Sequence, residues 1–395
     1  MDKIIKISKE RIVMNKKILL FALLFCSVIF SETWYVNPVT GDDDNDGIAL
    51  ITPFKTVQVG LDSVNAADTL LLVVGANGDT ITATDSCDMN GGLHASAVSS
   101  TPIYVLACNG SGTVYTDTTN FIITTKSTLA EGLFEILVAA DYIVFQNITF
   151  DGGGVGKSEY GVLCQADGAE GIKFKRCRFI NNDNHGVFYR VSAATPLTKW
   201  LFYLCEAYGN GLGGAGGGIV PTASRGNADF IGCNAHDNVG VGIGLGSSYG
   251  SNALFNNVYD NDSVGIWVSN LASLGHINII GNVCYGNNDG IRLIQNQARI
   301  TILNNVMAAN TRYGLHTLNT TDLDYLNGVS YNCYYNNGTA AIDVNSGTPP
   351  GEGNVTGDPK FTSVVDGSED FSFSDTTSSL YKTGLRNIMY IKSGK

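Results

Sequence analysis

The stretch from Asn282 to His316 reads NVCYGNNDGIRLIQNQARITILNNVMAANTRYGLH, and it contains one pattern twice. In each copy an Asn is followed five residues later by a second Asn, and then by a Gly with an aliphatic residue, as in Asn282, Asn287 and Gly290-Ile291. Between the copies, residues 299–303 read RITIL, and this alternation is typical of a β-strand rather than a helix. The stretch therefore predicts a repeating unit built from short strands.

The same pattern extends in both directions along the chain, at steps of 23 to 30 residues. Its first position is filled by Asn147, Cys177, Cys205, Cys233, Asn257, Asn282, Asn305 and Asn332. Its second position is filled by Asn182, Asn210, Asn238, Asp262, Asn287, Asn310 and Asn337. Units of this length made of strands and turns indicate a parallel β-helix, because one coil cannot bury its apolar face until other coils stack on it. We predict an all-β solenoid of about ten coils.

Equivalent residues in such a solenoid lie ~4.8 Å apart, one coil above the next. Stacked Asn side chains can therefore form ladders of amide hydrogen bonds along the axis. Eight Cys residues remain after the first 31 residues, and an even number in an exported protein is compatible with disulfides. The stacking of Cys177, Cys205 and Cys233 favours the other interpretation, in which they are buried free thiols that fill the core.

A short helix is predicted next to the start of the solenoid. Phe54, Val57, Leu61 and Val64 share one helical face, and solenoid ends need a cap that shields the open core. The chain is accordingly divided into an export signal (1–31), an entry segment with the capping helix (32–69), the β-helix (70–346) and a closing segment (347–395).

The first 31 residues carry the features of an export signal. A basic stretch precedes the apolar run Ile18 to Phe30, which is short for a membrane span. The whole chain has a formal net charge of −12, and loss of this segment makes it −16, since it removes six basic and two acidic residues. Such a surface disfavours nucleic acid binding, which depends on Lys and Arg. We expect a secreted or cell-surface monomer with no membrane span after cleavage.

Several motifs together resemble those of a known group of proteins. They are WYVNP at 34–38, GDDDNDG at 41–47, TPFKT at 52–56 and, near the end, GDPKF at 357–361. These segments resemble the entry and closing segments of exported right-handed parallel β-helix proteins of the pectate-lyase-like superfold. The resemblance implies a right-handed coil and a polysaccharide partner. It does not select an activity, because the superfold includes lyases, hydrolases, epimerases, phage tailspikes and noncatalytic surface proteins.

The resemblance places a glycan across the strands that follow each Gly-aliphatic pair. Alternation along those strands turns the aliphatic residue inward and its neighbour outward. Trp267, Arg292 and His316 are then predicted to stand in one outward column at adjacent coils, where an indole beside hydrogen-bond donors suits a sugar ring. Arg190, Phe188 and Asp343 are further substrate-binding candidates on the same face. The alternative is an exposed decoration of the sheet, because single exposed aromatic residues are common.

A lyase of this superfold neutralises a uronate carboxylate and supplies a base. On the predicted face Asp289 and Asp343 are single acidic residues, so no calcium-binding cluster of carboxylates is expected there. Arg292 is therefore the candidate that neutralises, and His316 or Arg190 the candidate base. A separate calcium site is predicted at Asp42, Asp44 and Asp46, where alternating Asp residues precede a Gly; a polar turn is the alternative.

Two Gly-rich loops, 151–160 and 209–218, interrupt the compact turns and are predicted to project near the same strand edge. Their Gly content indicates spacers, although long loops on a rigid scaffold often carry function.

The sequence thus predicts a carbohydrate-interacting protein, with uronate β-elimination as its most plausible activity. A noncatalytic cell-surface or adhesive scaffold is the competing hypothesis, supported by the missing carboxylate cluster. A trimeric glycan-binding spike is a third hypothesis, which the export signal disfavours.

Overall fold

The computed structural model describes residues 31–74, 80–83, 87–89, 97–116, 120–125, 129–137, 141–165, 169–189, 200–214, 216–220, 227–245, 250–268, 276–294, 299–317, 326–343 and 351–374. The predicted export signal lies outside these residues apart from Ser31. Within the described part, no helix has the length and apolar character needed to cross a membrane.

Three parallel sheets, named A, B and C here, run side by side along the molecule. Sheet A contains Thr33–Val36, Thr69–Val74, Ile103–Asn109, Ile143–Gln146, Lys173–Lys175, Trp200–Tyr203, Ala228–Ile231, Asn252–Leu254, His276–Ile280, Arg299–Leu303 and Leu326–Ser330. Sheet B contains Thr80–Ala83, Phe121–Thr125, Ile148–Asp151, Arg178–Ile180, Glu206–Tyr208, Asn234–His236, Asn257–Tyr259, Val283–Tyr285, Val306–Ala308 and Cys333–Tyr335. Sheet C contains Cys87–Met89, Leu129–Ile136, Ser158–Cys164, His185–Tyr189, Ile219–Val220, Ile243–Leu245, Val264–Val268, Asp289–Leu293, Tyr313–Thr317 and Ala340–Asp343.

From Ile143 onward the chain visits sheets A, B and C in turn, and each strand pairs with the strand one coil later. Within the described residues, the 11 strands of sheet A and the 10 strands each of sheets B and C therefore stack into a parallel β-helix. The predicted all-β solenoid is confirmed.

The interior is a continuous apolar core in which aromatic rings repeat at the coil spacing. Phe145, Phe174, Phe202 and Phe230 stack in sheet A, with ring centroids 5.0, 5.2 and 5.0 Å apart. All four side chains are buried. Because each ring packs against the rings above and below it, truncation of one to Ala costs about 3–5 kcal/mol of folding free energy.

The Asn ladders are present, with one correction to the predicted register. Asn256, rather than Asn257, continues the first ladder through Asn282, Asn305 and Asn332, with amide contacts of 2.9 to 3.0 Å. Asn261, rather than Asp262, likewise continues the second ladder, between Asn238 and Asn287. At each of these two positions the sequence has two adjacent polar residues, Asn256-Asn257 and Asn261-Asp262, and either could have entered the ladder. Burial decides between them, since Asn256 and Asn261 are inside the coil.

The cysteines fill the core as predicted. All eight in the described residues are buried, and none of them forms a disulfide. Cys233 lies one coil before Asn256 in the column that becomes the first Asn ladder. Its backbone N–H donates a hydrogen bond to Oδ1 of Asn256 at 2.8 Å. Burial raises the pKa of Cys177 to about 12, so its thiol stays protonated and unreactive.

The capping helix is also confirmed. It spans Val57–Ser63, and the Thr56 side chain accepts a hydrogen bond from the backbone N–H of Val59 at its start. The four apolar side chains of the predicted face, Phe54, Val57, Leu61 and Val64, are all buried.

A two-stranded antiparallel hairpin, Phe361–Ser363 with Asp370–Phe373, follows the last described coil. Phe371 contacts Tyr259 and Tyr285 of sheet B, with ring centroids 5.2 and 5.6 Å away. The hairpin therefore packs on the outer side of sheet B, and it leaves the face of sheet C to the predicted site.

Candidate functional site

Sheet C places the predicted column in register. Trp267 pairs with Arg292, Arg292 with His316, and His316 with Asp343 on four successive strands. Inward-facing Ile266, Ile291 and Leu315 are buried beneath them. Trp267, Arg292 and His316 therefore lie side by side as predicted, each one coil after the previous one.

Asp289 joins two members of this column. Its Oδ2 accepts a hydrogen bond from Nε of Arg292 at 2.7 Å and lies 2.7 Å from Nδ1 of His316. Nη2 of Arg292 contacts the same oxygen. The Asp289 side chain is fully buried, whereas that of Arg292 is 20% exposed. A buried carboxylate needs opposite charge and donors to offset its lost hydration, and Arg292 and His316 provide both.

The position of Asp289 follows from its place at the start of a strand. It pairs with buried Val264 of the preceding coil. Asp289 and the buried Ile291 are two residues apart on one strand, so alternation assigns both to its inward side. An acidic residue at an inward position of a strand was the sequence signal for these contacts, because a buried carboxylate needs cations or hydrogen-bond donors next to it. The sequence analysis counted Asp289 only as a single carboxylate, and it did not predict these contacts with Arg292 and His316.

The contact with Asp289 orients the ring of His316. When the imidazole is neutral, a proton on Nδ1 bonds to the carboxylate and the lone pair is on Nε2. The ring of Tyr313 lies 4.7 Å from that of His316, tilted by 36°. His316 is only 6% exposed overall, so it is more enclosed than an outward column residue was expected to be. Contacts from Asp289 and Tyr313 thus fix one orientation of the candidate base His316.

Arg312 is a second cation at this site that sequence reasoning missed. Its Nε lies 3.6 Å from Oδ1 of Asp289, a buried oxygen with no hydrogen-bond partner among the described residues. Its guanidinium carbon lies 5.1 Å from the centre of the Tyr313 ring. The Arg312 side chain is 42% exposed, about twice the exposure of Arg292. Arg312 is therefore the more accessible of the two cations.

The remaining predicted residues are placed differently. Phe188 lies on sheet C three strands before Trp267, and its ring stacks on His185 and Tyr160 with centroids 5.0 and 4.9 Å away. Arg190 lies outside the described residues. For Asp343 the structure describes only the backbone, which pairs with that of His316.

The predicted calcium ligands lie in an exposed turn near the N-terminus. Asp42 accepts a hydrogen bond from the Asp44 backbone at 3.2 Å, and Asp46 accepts one from the Thr52 hydroxyl at 2.7 Å. Across the part of the chain that the structure describes, no three His, Cys, Asp or Glu side chains are grouped to hold a metal ion. The contacts match the polar turn that the sequence offered as the alternative, and calcium binding stays a prediction.

A second group of titratable side chains lies on sheet B. His236 stacks between Tyr208 and Tyr259, with ring centroids 5.1 and 4.6 Å away. Burial lowers its pKa, but hydrogen bonds with Asp237 and Glu206 outweigh burial and raise the pKa to about 9. Arg178 also contacts Glu206, at 2.9 Å. The hairpin residue Phe371 contacts Tyr259, so the closing segment covers the Tyr259 end of this group.

Comparison with known proteins agrees with the fold. Residues 160–328 match the family model described as "Right handed beta helix region". The crystal structure of pectate lyase Pel9A is similar with a TM-score of 0.54 at 15% identity, covering 89% of this chain and 91% of that one. A rhamnogalacturonan lyase is similar with a TM-score of 0.50 at 13% identity, covering 85% and 92%. No curated protein matches the chain in sequence. At these identities the likeness establishes the fold alone.

Proposed function

We propose that this right-handed parallel β-helix protein of pectate-lyase-like fold acts on polysaccharides, and that its site is the sheet C column of Trp267, Arg292 and His316. The observation that carries the proposal is buried Asp289, which contacts both Arg292 and His316 within one coil step of the indole. Binding and catalytic groups need supporting side chains that fix their orientation, and Asp289 is such a support for Arg292 and His316. Two similar folds belong to proteins named as lyases of pectate and of rhamnogalacturonan.

Binding at this column would combine an apolar face with positive charge. The half-buried indole of Trp267 can pack against the CH face of a sugar ring. Arg292 is held by Asp289, so much of its charge is offset locally. The more exposed Arg312 then supplies the charge for an anionic sugar such as a uronate. The chain has a formal net charge of −12, and this local pair of cations favours an anionic ligand at this site.

The reaction that fits these groups is β-elimination from a uronate. His316 takes the proton from the carbon next to the carboxyl group, while an Arg stabilises the negative charge that develops on the carboxylate. The electron pair of the broken C–H bond forms a C=C bond. The bond to the glycosidic oxygen breaks, and that oxygen takes a proton from solvent. Asp289 acts as a positioning residue, since its contact with Nδ1 fixes the His316 ring.

We further propose that the protein is exported and works outside the cytoplasm as a monomer. Calcium, if bound, would occupy the turn at Asp42, Asp44 and Asp46 and would stabilise the entry segment rather than take part in the reaction. Titration of the purified protein with calcium chloride, compared with an Asp44→Asn variant, tests that assignment. Heat of binding that persists unchanged in the variant contradicts it.

The activity is tested by incubating residues 32–395 with pectate, rhamnogalacturonan, alginate and a neutral glycan, with calcium and with chelator. Ultraviolet absorbance follows unsaturated uronates, and a parallel assay follows new reducing ends. The proposal predicts both signals on at least one acidic glycan. Reducing ends without unsaturation would indicate hydrolysis and contradict the mechanism. Neither signal, from protein shown to be folded, would favour the noncatalytic scaffold.

A further inference from the structure

One outward-facing column of sheet A is apolar along two parts of its length. Its members pair strand by strand in the order Tyr35, Leu71, Leu106, Gln146, Lys175, Tyr203, Ile231, Leu254, Ile280, Leu303 and Ser330. Gln146 and Lys175 separate two apolar groups. The second of these groups, named the sheet A stripe here, consists of Tyr203, Ile231, Leu254, Ile280 and Leu303.

The first apolar group of the column is covered by other parts of the chain. Leu71 is buried, and Tyr35 and Leu106 pack with it against Leu50 and Val114. Leu50 belongs to the entry segment, and Val114 lies in the loop after the third strand of sheet A. The chain itself therefore supplies the cover at this end of the column.

The closing hairpin covers an apolar area on the outer side of sheet B in the same way. Its residues Phe361 and Phe371 pack in a group that includes buried Val283, Val306 and Cys333. Among the described residues, neither of these two covered groups contains a side chain of the sheet A stripe. The stripe is thus a third apolar area on the outside of the solenoid, and its cover is still to be identified.

All five side chains of the stripe are partly exposed, and Tyr203 is 37% exposed. They follow one another over four coil steps, or about 19 Å, with no polar residue between them. Transfer of apolar side chains out of water is favourable, so a segment that covers this row gains free energy from each of them.

The dimensions of the stripe favour a single chain segment over a second copy of the protein. Alternate residues along a strand lie ~7 Å apart, so a stripe one residue wide measures about 19 by 7 Å. A stable protein–protein interface buries about 800 Å² on each partner. The stripe provides much less than this area, whereas its narrow shape suits one extended segment.

The last described residue, Ser374, lies near the corner where sheet A passes into sheet B. Its backbone N–H donates to the Lys360 carbonyl at 2.7 Å, and the carbonyl of nearby Gly357 accepts from Sγ of Cys333 at 3.2 Å. Cys333 begins the sheet B strand that directly follows the last described strand of sheet A. Residues 375–395 number 21 and can span up to about 70 Å, more than three times the length of the stripe.

Residues 375–395 also have a composition that suits such a cover. Seven of them are apolar, namely Leu380, Tyr381, Leu385, Ile388, Met389, Tyr390 and Ile391. Four Lys or Arg residues and one Asp give the segment a formal charge of +3, so the rest of the chain carries −15 of the total of −12. These opposite net charges attract the segment to the solenoid.

We infer that residues 375–395 pack along the sheet A stripe and cover it. The segment is then a third cover on the outside of the solenoid, after the entry segment and the closing hairpin. The inference does not depend on the proposed function, because the stripe and the column of Trp267, Arg292 and His316 lie on different sheets.

Limited digestion of the purified protein with trypsin tests the inference. Three internal cleavage sites of the segment follow Lys382, Arg386 and Lys392. Cleavage there, measured by mass spectrometry of the released peptides, depends on how often the segment leaves the stripe. Leu254→Asp should accelerate it at least about tenfold, the effect of losing the burial of one aliphatic side chain. Ile180→Asp, at a partly exposed position on sheet B, is the matched control and should change the rate less than twofold.

Photo-crosslinking identifies the occupant of the stripe. In Ile231→Cys the added thiol takes a benzophenone maleimide label, since the eight native cysteines of the described residues are buried. An equal mixture of unlabelled and ¹⁵N-labelled protein separates crosslinks within one molecule from those between two. Crosslinks to residues 375–395 of the same molecule support the inference. Crosslinks between two molecules, or to any other segment, overturn it.

The digestion results can also contradict the inference. Equal cleavage rates in the wild type and in folded Leu254→Asp overturn it, because the segment then does not rest on the stripe. If urea unfolding shows that Leu254→Asp does not fold, Ile388→Asp changes the segment and leaves the solenoid intact. That variant should show the same acceleration, and an unchanged cleavage rate in it also overturns the inference.

Discussion

Nδ1 of His316 lies 2.7 Å from the buried carboxylate of Asp289, although the two residues are 27 positions apart in the sequence. They meet because Asp289–Leu293 and Tyr313–Thr317 are neighbouring strands of sheet C. Because the two strands are adjacent, residues from two separate repeats form an oriented imidazole–carboxylate pair. Arg292 contacts the same carboxylate oxygen, so the proposed base and a cation depend on one acidic residue.

Replacement of Asp289 should therefore affect both folding and chemistry. Asp289→Asn keeps the size of the side chain but leaves Arg292 without its charge partner in a largely buried position. We expect a loss of about 3–5 kcal/mol in the free energy of unfolding, as for other broken buried pairs. Urea denaturation measures this loss. The matched control is Asp262→Asn, whose side chain is exposed and should change stability by less than about 0.5 kcal/mol. A neutral Asp289→Asn result would contradict the assigned role.

The Asn ladder gives a prediction about two adjacent residues. Nδ2 of Asn256 donates to the Phe230 carbonyl and to Asn282, and its Oδ1 accepts from the Cys233 amide. Asn256→Ala leaves these buried groups without partners, at a cost of about 3 kcal/mol or more. Asn257→Ala removes one partly buried contact to Asn234 and should cost about 1 kcal/mol. Urea unfolding measures the free energy of unfolding of both variants. Equal decreases for Asn256→Ala and Asn257→Ala would contradict the larger stabilising role assigned to the ladder residue Asn256.

His236 should make stability depend on alkaline pH. Its folded pKa of about 9 lies above the usual value of 6.5, so the charged ring is favoured in the folded protein. The resulting stabilisation is complete below about pH 6.5 and is lost as the pH rises through 9. The melting temperature of the wild type should fall over this interval more than that of His236→Gln. His276→Gln is the control, since His276 is exposed on sheet A and should leave the wild-type profile unchanged. Parallel profiles for wild type and His236→Gln would contradict the assignment.

Most of the fold could be predicted from the sequence because the repeat states the same physical requirement in every coil. An Asn inside each turn has to bond to the next, and an aliphatic residue after each Gly has to face the core. The capping helix followed from one apolar face, Phe54 to Val64. The pattern could not choose between Asn256 and Asn257, since both side chains are amides and only the path of the turn decides which one enters the coil.

The candidate site was predictable in register but not in its contacts. Strand alternation placed Trp267, Arg292 and His316 in one column without knowledge of any side-chain conformation. The contacts of Asp289, by contrast, depend on how a side chain at a strand start bends toward the next coil. The same holds for Arg312 and Tyr313, which lie just beside the column and contribute a cation and a ring. Alternation assigns a face, whereas these contacts depend on side-chain conformations at the strand edge.

The most direct test of the proposed function compares two His variants on the glycan that gives unsaturated product with the wild type. His316→Ala and His276→Ala are assayed by the rate of ultraviolet absorbance increase, after both are shown to unfold at similar urea concentrations. If His316 is the base, His316→Ala lowers the rate by at least about 100-fold, the usual contribution of general base catalysis, and His276→Ala leaves it within twofold. A His316→Ala enzyme that keeps the wild-type rate would contradict the central claim that this column carries the reaction.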